Sequence, residues 1–127
     1  MWCNGLSPML RQQLKSKIHR AIVTDANVNY EGSIAIPTDL MELADLWTGE
    51  KVLVASITNG ARLETYVQPA EPGSGRITIN GGAAHQIGKG ERVTIMAFGA
   101  SAEPVIAQVI LCNEKNEVIE HRSRPKI

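Results

Sequence analysis

The chain reads as a series of short apolar runs, most of them at strand spacing, with one stretch at helical spacing. Residues 1–13 read as an irregular or helical lead-in. Ile18 to Val23 is a strand candidate, and TDAN (24–27) is a turn rich in Asx-type residues. A second strand is expected across 28–36, and Pro37 stands where the first residue of a helix is favoured. TDLMELADLW then sets Leu40, Leu43, Ala44 and Trp47 at helical spacing, and TGE (48–50) ends that helix. KVLVASI (51–57) and RLETYVQ (62–68) read as strands joined by TNGA, which carries the Asn-Gly hairpin signal. PAEPGSG (69–75) is a loop, RITIN (76–80) a short strand, and GGAAHQIGKGE (81–91) a small-residue segment ending in a turn. RVTIMAF (92–98) and VIAQVILC (105–112) are further strands. NEKN (113–116) turns the chain, EVIE (117–120) pairs back, and HRSRPKI forms a polar tail. Many short strands with one or two short helices predict a mainly-β fold, a small barrel.

Composition narrows the function classes. A length of 127 residues predicts one domain, and 43% hydrophobic with 4% aromatic residues predicts a mainly aliphatic core. Thirteen basic residues are balanced by 13 acidic ones, which argues against a nucleic-acid surface. Cys3 and Cys112 have no CxxC spacing and fit reduced thiols of a cytoplasmic protein. MWCNGLSPML lacks a basic start and a long apolar run, so no signal peptide is expected, and no stretch approaches a membrane span. His19, His85 and His121 are not spaced as a metal set, and zinc, phosphate-loop and nucleotide motifs are missing. No metal and no external cofactor are expected.

Gly32–Ser33 interrupts the strand expected across 28–36. Periodicity alone favours a β-bulge or tight bend there. A chemical reading needs the same two residues. A serine hydroxyl can attack the carbonyl of the preceding peptide bond, and a glycine on the carbonyl side crowds that attack least. The resulting ester can eliminate to dehydroalanine, which hydrolyses to a pyruvoyl group. A weak nucleophile thereby becomes a carbonyl electrophile.

The segments KIHRAIVTDANVNYEGS (17–33), TNGARLETY (58–66) and NGGAAH (80–85), in this order and spacing, resemble the pyruvoyl-dependent aspartate 1-decarboxylase family over roughly residues 9–98. The resemblance implies a double-psi β-barrel with short helices, a homotetramer, and decarboxylation of L-aspartate to β-alanine for pantothenate and coenzyme A synthesis. It implies one domain cut between Gly32 and Ser33 into fragments 1–32 and 33–127, with the pyruvoyl group made from Ser33. L-Aspartate would join that group as a Schiff base. Thr65 matches the threonine that assists cleavage and touches substrate, and Tyr66 matches the proton donor. Arg62 and Lys17 match the cations that hold substrate carboxylates. Asn80, Gly81, Gly82 and Ala83 match the segment lining the substrate pocket, and His19, Tyr30 and Glu31 match neighbours of the cleavage site. Ala55 stands where some members carry an aromatic residue, and Gly82 where alanine is common. Some relatives depend on an acetyltransferase-like maturation partner, which makes such a protein the candidate second partner.

Two other readings compete. SIAIPTDLMELADLWTGEKVLV (33–54) also resembles the swapped-hairpin DNA-binding unit of AbrB-type regulators. The balanced charge and the long remainder of the chain stand against it. The other is an uncleaved barrel acting only as a structural subunit.

Overall fold

The computed structural model describes residues 8–124. Its elements run β1 (Arg11–Ile22), β2 (Asp25–Asn27), β3 (Ser33–Pro37), α1 (Thr38–Leu43), β4 (Lys51–Ser56), β5 (Arg62–Ala70) and β6 (Thr78–Asn80). A 3₁₀ turn (Gly81–His85), β7 (Arg92–Ser101), β8 (Ala107–Cys112) and β9 (Val118–Arg124) follow. Among the described residues the strands form one sheet in the order β2-β6-β3-β5-β4-β7-β1-β8-β9. The mainly-β expectation holds, and the arrangement is consistent with a double-psi barrel. The pairs β2–β6, β3–β5 and β1–β8 are parallel, whereas β4–β5 and β8–β9 are antiparallel hairpins. Parallel neighbours cannot be joined by a tight turn. The chain therefore crosses over between them, and one crossover carries α1 and β4.

The core is aliphatic, as the composition predicted. Ile18, Ile34, Ile36, Val52, Val54, Val67, Ile77, Ile79, Ile95 and Ile110 are all buried. β-Branched side chains dominate because they pack well on a pleated surface. Cys112 joins this core as a free thiol whose pKa burial pushes up to about 11. Cys3 lies outside the described residues.

Several boundaries differ from the sequence expectation. Residues 28–32 form a turn and bend, and the strand begins at Ser33, so Gly32–Ser33 is a strand entry rather than an interruption. TDAN is not a turn: Asp25–Asn27 pairs in parallel with Thr78–Asn80. The lead-in is strand from Arg11 onward, and the polar tail continues β9 to Arg124 through its pairing with β8. Pro37 closes β3 and caps α1 with an extended ψ of 138° instead of entering the helix. The helix stops at Leu43. Leu40 and Ala44 are buried as expected, but Trp47 lies beyond the helix and is 78% exposed.

Candidate active site

The first residue of β3 pairs with the last of β6, which places Ser33 opposite Asn80. Ser33 is buried, and Asn80 Nδ2 donates to its Oγ at 3.1 Å. Asn80 Oδ1 is buried without a hydrogen-bond partner among the described residues. On the other side β3 runs parallel to β5, with Ile34 paired to Val67. One step back along both strands are Ser33 and Tyr66. In-register neighbours project to the same face. Ser33 and Asn80 are thus cross-strand partners, and Tyr66 lies one residue before the β3–β5 ladder, at a strand spacing of about 4.8 Å. Tyr66 is 37% exposed, so its phenol is accessible from outside the barrel.

Gly81 follows Asn80 with φ +78°, a left-handed value that glycine adopts readily. A Cβ built on it would lie 2.7 Å from Gly32 Cα and 2.9 Å from Gly32 N. The close approach brings the NGGAAH segment against the EGS segment. Gly32 itself is not in the left-handed region, and a Cβ on it would meet nothing within 4 Å. The glycine demanded by geometry is Gly81.

Thr65 lies half-buried on β5, paired with Val52, on the face opposite Tyr66. Gly82 is exposed, Ala83 is half-buried, and the Ala83 carbonyl accepts from Gln86 N and Ile87 N. Arg62 shares the outward face of β5 with Tyr66 but sits four residues away, about 13 Å along the strand. Lys17 is on β1, three strands from β5, about 14 Å across the sheet. Among the described residues neither forms a salt bridge. A single chain therefore brings together Gly32, Ser33, Asn80 and Gly81, with Tyr66 on the adjacent strand, while Thr65 lies on the opposite face of that strand and Arg62 and Lys17 occupy more distant sheet positions. The groove of about 460 Å³ on the outer face is lined by Gln12, Lys51, Val52, Leu53, Glu64 and Phe98, not by Ser33.

His19 stands on β1 beside Lys17, its Nδ1 3.1 Å from Thr94 Oγ1. Burial lowers its pKa below 6.5, and the cations Lys17, Arg20 and Arg122 lower it further. Ala55 is paired with Arg62 and Thr94 on the neighbouring strands. Tyr30 and Glu31 are exposed in the turn before Gly32. Among the described residues no cluster of His, Cys, Asp or Glu could hold a metal ion, and no helix is long and apolar enough to cross a membrane.

Two organising residues had no signal strong enough to be singled out from sequence. Asn116, at φ +59° in the NEKN turn, is buried and clamps the backbone of Ile22 and Gly75. Glu91 collects three donors at the base of the TNG turn. Each sits in a segment whose residue types read only as turn chemistry.

The site is thus a buried hydroxyl at a strand entry of a small, mainly-β fold, with the Asn80 amide donating to it. The aspartate decarboxylase family model matches residues 9–119, beyond the stretch that carried the resemblance. The aspartate 1-decarboxylase of Pseudothermotoga lettingae is 50% identical over 112 residues, covering 87% of this chain and 97% of the relative. That of Thermosipho africanus is 53% identical over 109 residues (84% and 91%), and that of Bacillus cytotoxicus 44% over 122 residues (93% and 96%). The chain belongs to the aspartate decarboxylase family and is a carboxy-lyase. Membership sets aside the DNA-binding and purely structural readings.

Proposed function

We propose that this chain cuts itself between Gly32 and Ser33 and uses the pyruvoyl group made from Ser33 to decarboxylate L-aspartate. The activity is conversion of L-aspartate to β-alanine and carbon dioxide, a step toward pantothenate and coenzyme A. One observation carries the reading: Ser33 is buried against Asn80, which donates to its Oγ, with Gly81 pressed against Gly32. In cleavage, Ser33 Oγ attacks the Gly32 carbonyl carbon and the C–N bond breaks, leaving an ester and a free amine. Elimination expels the Gly32 carboxylate and leaves dehydroalanine at 33. Water then replaces its nitrogen, releasing ammonia.

The residues around Ser33 fit such a group. Asn80 orients the hydroxyl, and its unpartnered Oδ1 suits an N–H of bound substrate. The pyruvoyl group supplies a carbonyl that takes up the electrons released with carbon dioxide. Tyr66, an O–H donor on the adjacent strand, returns the proton to the product carbon. Thr65 assists cleavage and contacts substrate. Arg62 and Lys17 hold carboxylates, Arg62 by a two-pronged contact. The Gly81–Gly82–Ala83 backbone lines the pocket. Arg62 and Lys17 occupy sheet positions separated from Ser33 within one chain, which fits a site completed by a second copy within a homotetramer. Exposed Phe98, which lines the outer groove, and exposed Met9 and Leu10 ahead of β1 fit such an assembly. The protein is cytoplasmic, and an acetyltransferase-like maturation factor is its candidate partner in cleavage.

A carbonyl titration tests the reading. Phenylhydrazine should label up to one carbonyl per chain in active protein and none in Ser33→Ala. Aspartate turnover with no titratable carbonyl would contradict it.

A further inference from the structure

Glu91 lies where three separate segments meet. Its carboxylate accepts from Ser56 Oγ at 2.6 Å, Asn59 Nδ2 at 2.9 Å and Gly88 N at 2.8 Å. Its backbone carbonyl accepts from Val23 N at 2.9 Å. The contacts continue outward in two directions. Asn59 Oδ1 accepts from Ala61 N at 2.7 Å, the residue before Arg62. Asn59 Nδ2 also donates to Gln86 O at 3.1 Å, and Gln86 N donates to Ala83 O at 3.0 Å. One half-buried carboxylate thus connects the turn that launches Arg62 with the segment that contains Gly81–Ala83.

We propose that Glu91 is a positioning residue that fixes both Arg62 and the 81–83 backbone, each in the substrate site it serves, for binding the substrate's carboxylates. The inference rests on the substrate-binding roles proposed for those residues. Hydrogen bonds to a charged acceptor are stronger than neutral ones. Three donors on one carboxylate therefore fix a loop pair that short turns alone would leave loose. Ser56, the inner donor, is buried, which shields this anchor from water. Glu91 reaches the substrate only through Asn59 and Gly88, so its loss should weaken binding rather than chemistry.

The test uses the whole, cleaved protein with Glu91→Ala, Asn59→Ala, the double variant and Arg62→Ala. The expected result is a roughly tenfold rise in KM for L-aspartate in each single variant, with kcat per cleaved chain within about threefold of the parent. Residues acting as one unit are not additive, so the double variant should be no worse than about twice either single one. Titration calorimetry with succinate, a non-reacting dicarboxylate, should rank Kd in the same order. Glu91→Gln serves if the alanine variant does not fold, and should raise KM by a smaller factor. An unchanged KM in Glu91→Ala, beside a raised KM in Arg62→Ala, overturns this inference alone. An unchanged KM in Arg62→Ala overturns the role of Arg62 and the inference with it. A multiplicative double variant also overturns it.

Discussion

Asn80 donates to Ser33 Oγ, so it can aim the hydroxyl but cannot take its proton. In the proposed reading orientation and acid-base work fall to different side chains, and single substitutions should separate them. Tyr66→Phe removes only the phenol oxygen. The variant should cleave like the parent while aspartate turnover falls about a hundredfold or more, the usual loss for a general acid. Cleaved fraction by mass and β-alanine release per cleaved chain check this. Gly81→Ala acts at the other stage. It adds left-handed strain of about 1–2 kcal/mol and drives a Cβ into Gly32, so cleavage should slow at least tenfold. The rate at which the shorter fragment appears during incubation measures it.

At the scale of elements, β2 and β6 build the wall behind Ser33, and Asn116 ties down the chain just before each of them. It accepts from Ile22 N at 2.7 Å and donates to the carbonyls of Ile22 and Gly75 at 2.9 and 2.7 Å. Asn116→Ala orphans these half-buried groups, at about 1 kcal/mol each, so on the order of 3 kcal/mol of stability should be lost in chemical denaturation. The sequence made the strands β4, β5, β7 and β8 legible, because alternation and the Asn-Gly turn are local signals. It did not make β2 legible, because TDAN has turn chemistry and becomes a strand only by pairing with β6. The full extent of β9 was hidden for the same reason: its polar residues are ordered by pairing with β8. Of the proposed site, Ser33, Asn80, Gly81 and Tyr66 are the motif positions that the sequence singles out. Their approach depends on the antiparallel β3–β6 and parallel β3–β5 pairings, which no local pattern encodes. Glu91 and Asn116 stayed hidden because their work is done through distant backbone.

For the whole molecule, pH and covalent integrity report on the barrel. His19 has a lowered pKa, so the folded state favours its neutral form. Its contribution is fully present above the unfolded value near 6.5 and is lost as pH falls through the lower folded value. The melting temperature should therefore drop on acidification below about 6.5, and His19→Gln, which keeps a polar partner for Thr94, should show a flatter profile. Covalent integrity bears on the central claim. A barrel that makes its own electrophile from Ser33 must exist as two polypeptides held in one fold, with β1 and β2 on the shorter one. The most direct measurement is the intact mass of purified protein under denaturing conditions after warm incubation, with and without cell extract. The account predicts one fragment ending at Gly32 and a second beginning with a pyruvoyl group at residue 33. A single full-length chain that still releases β-alanine from aspartate would contradict it.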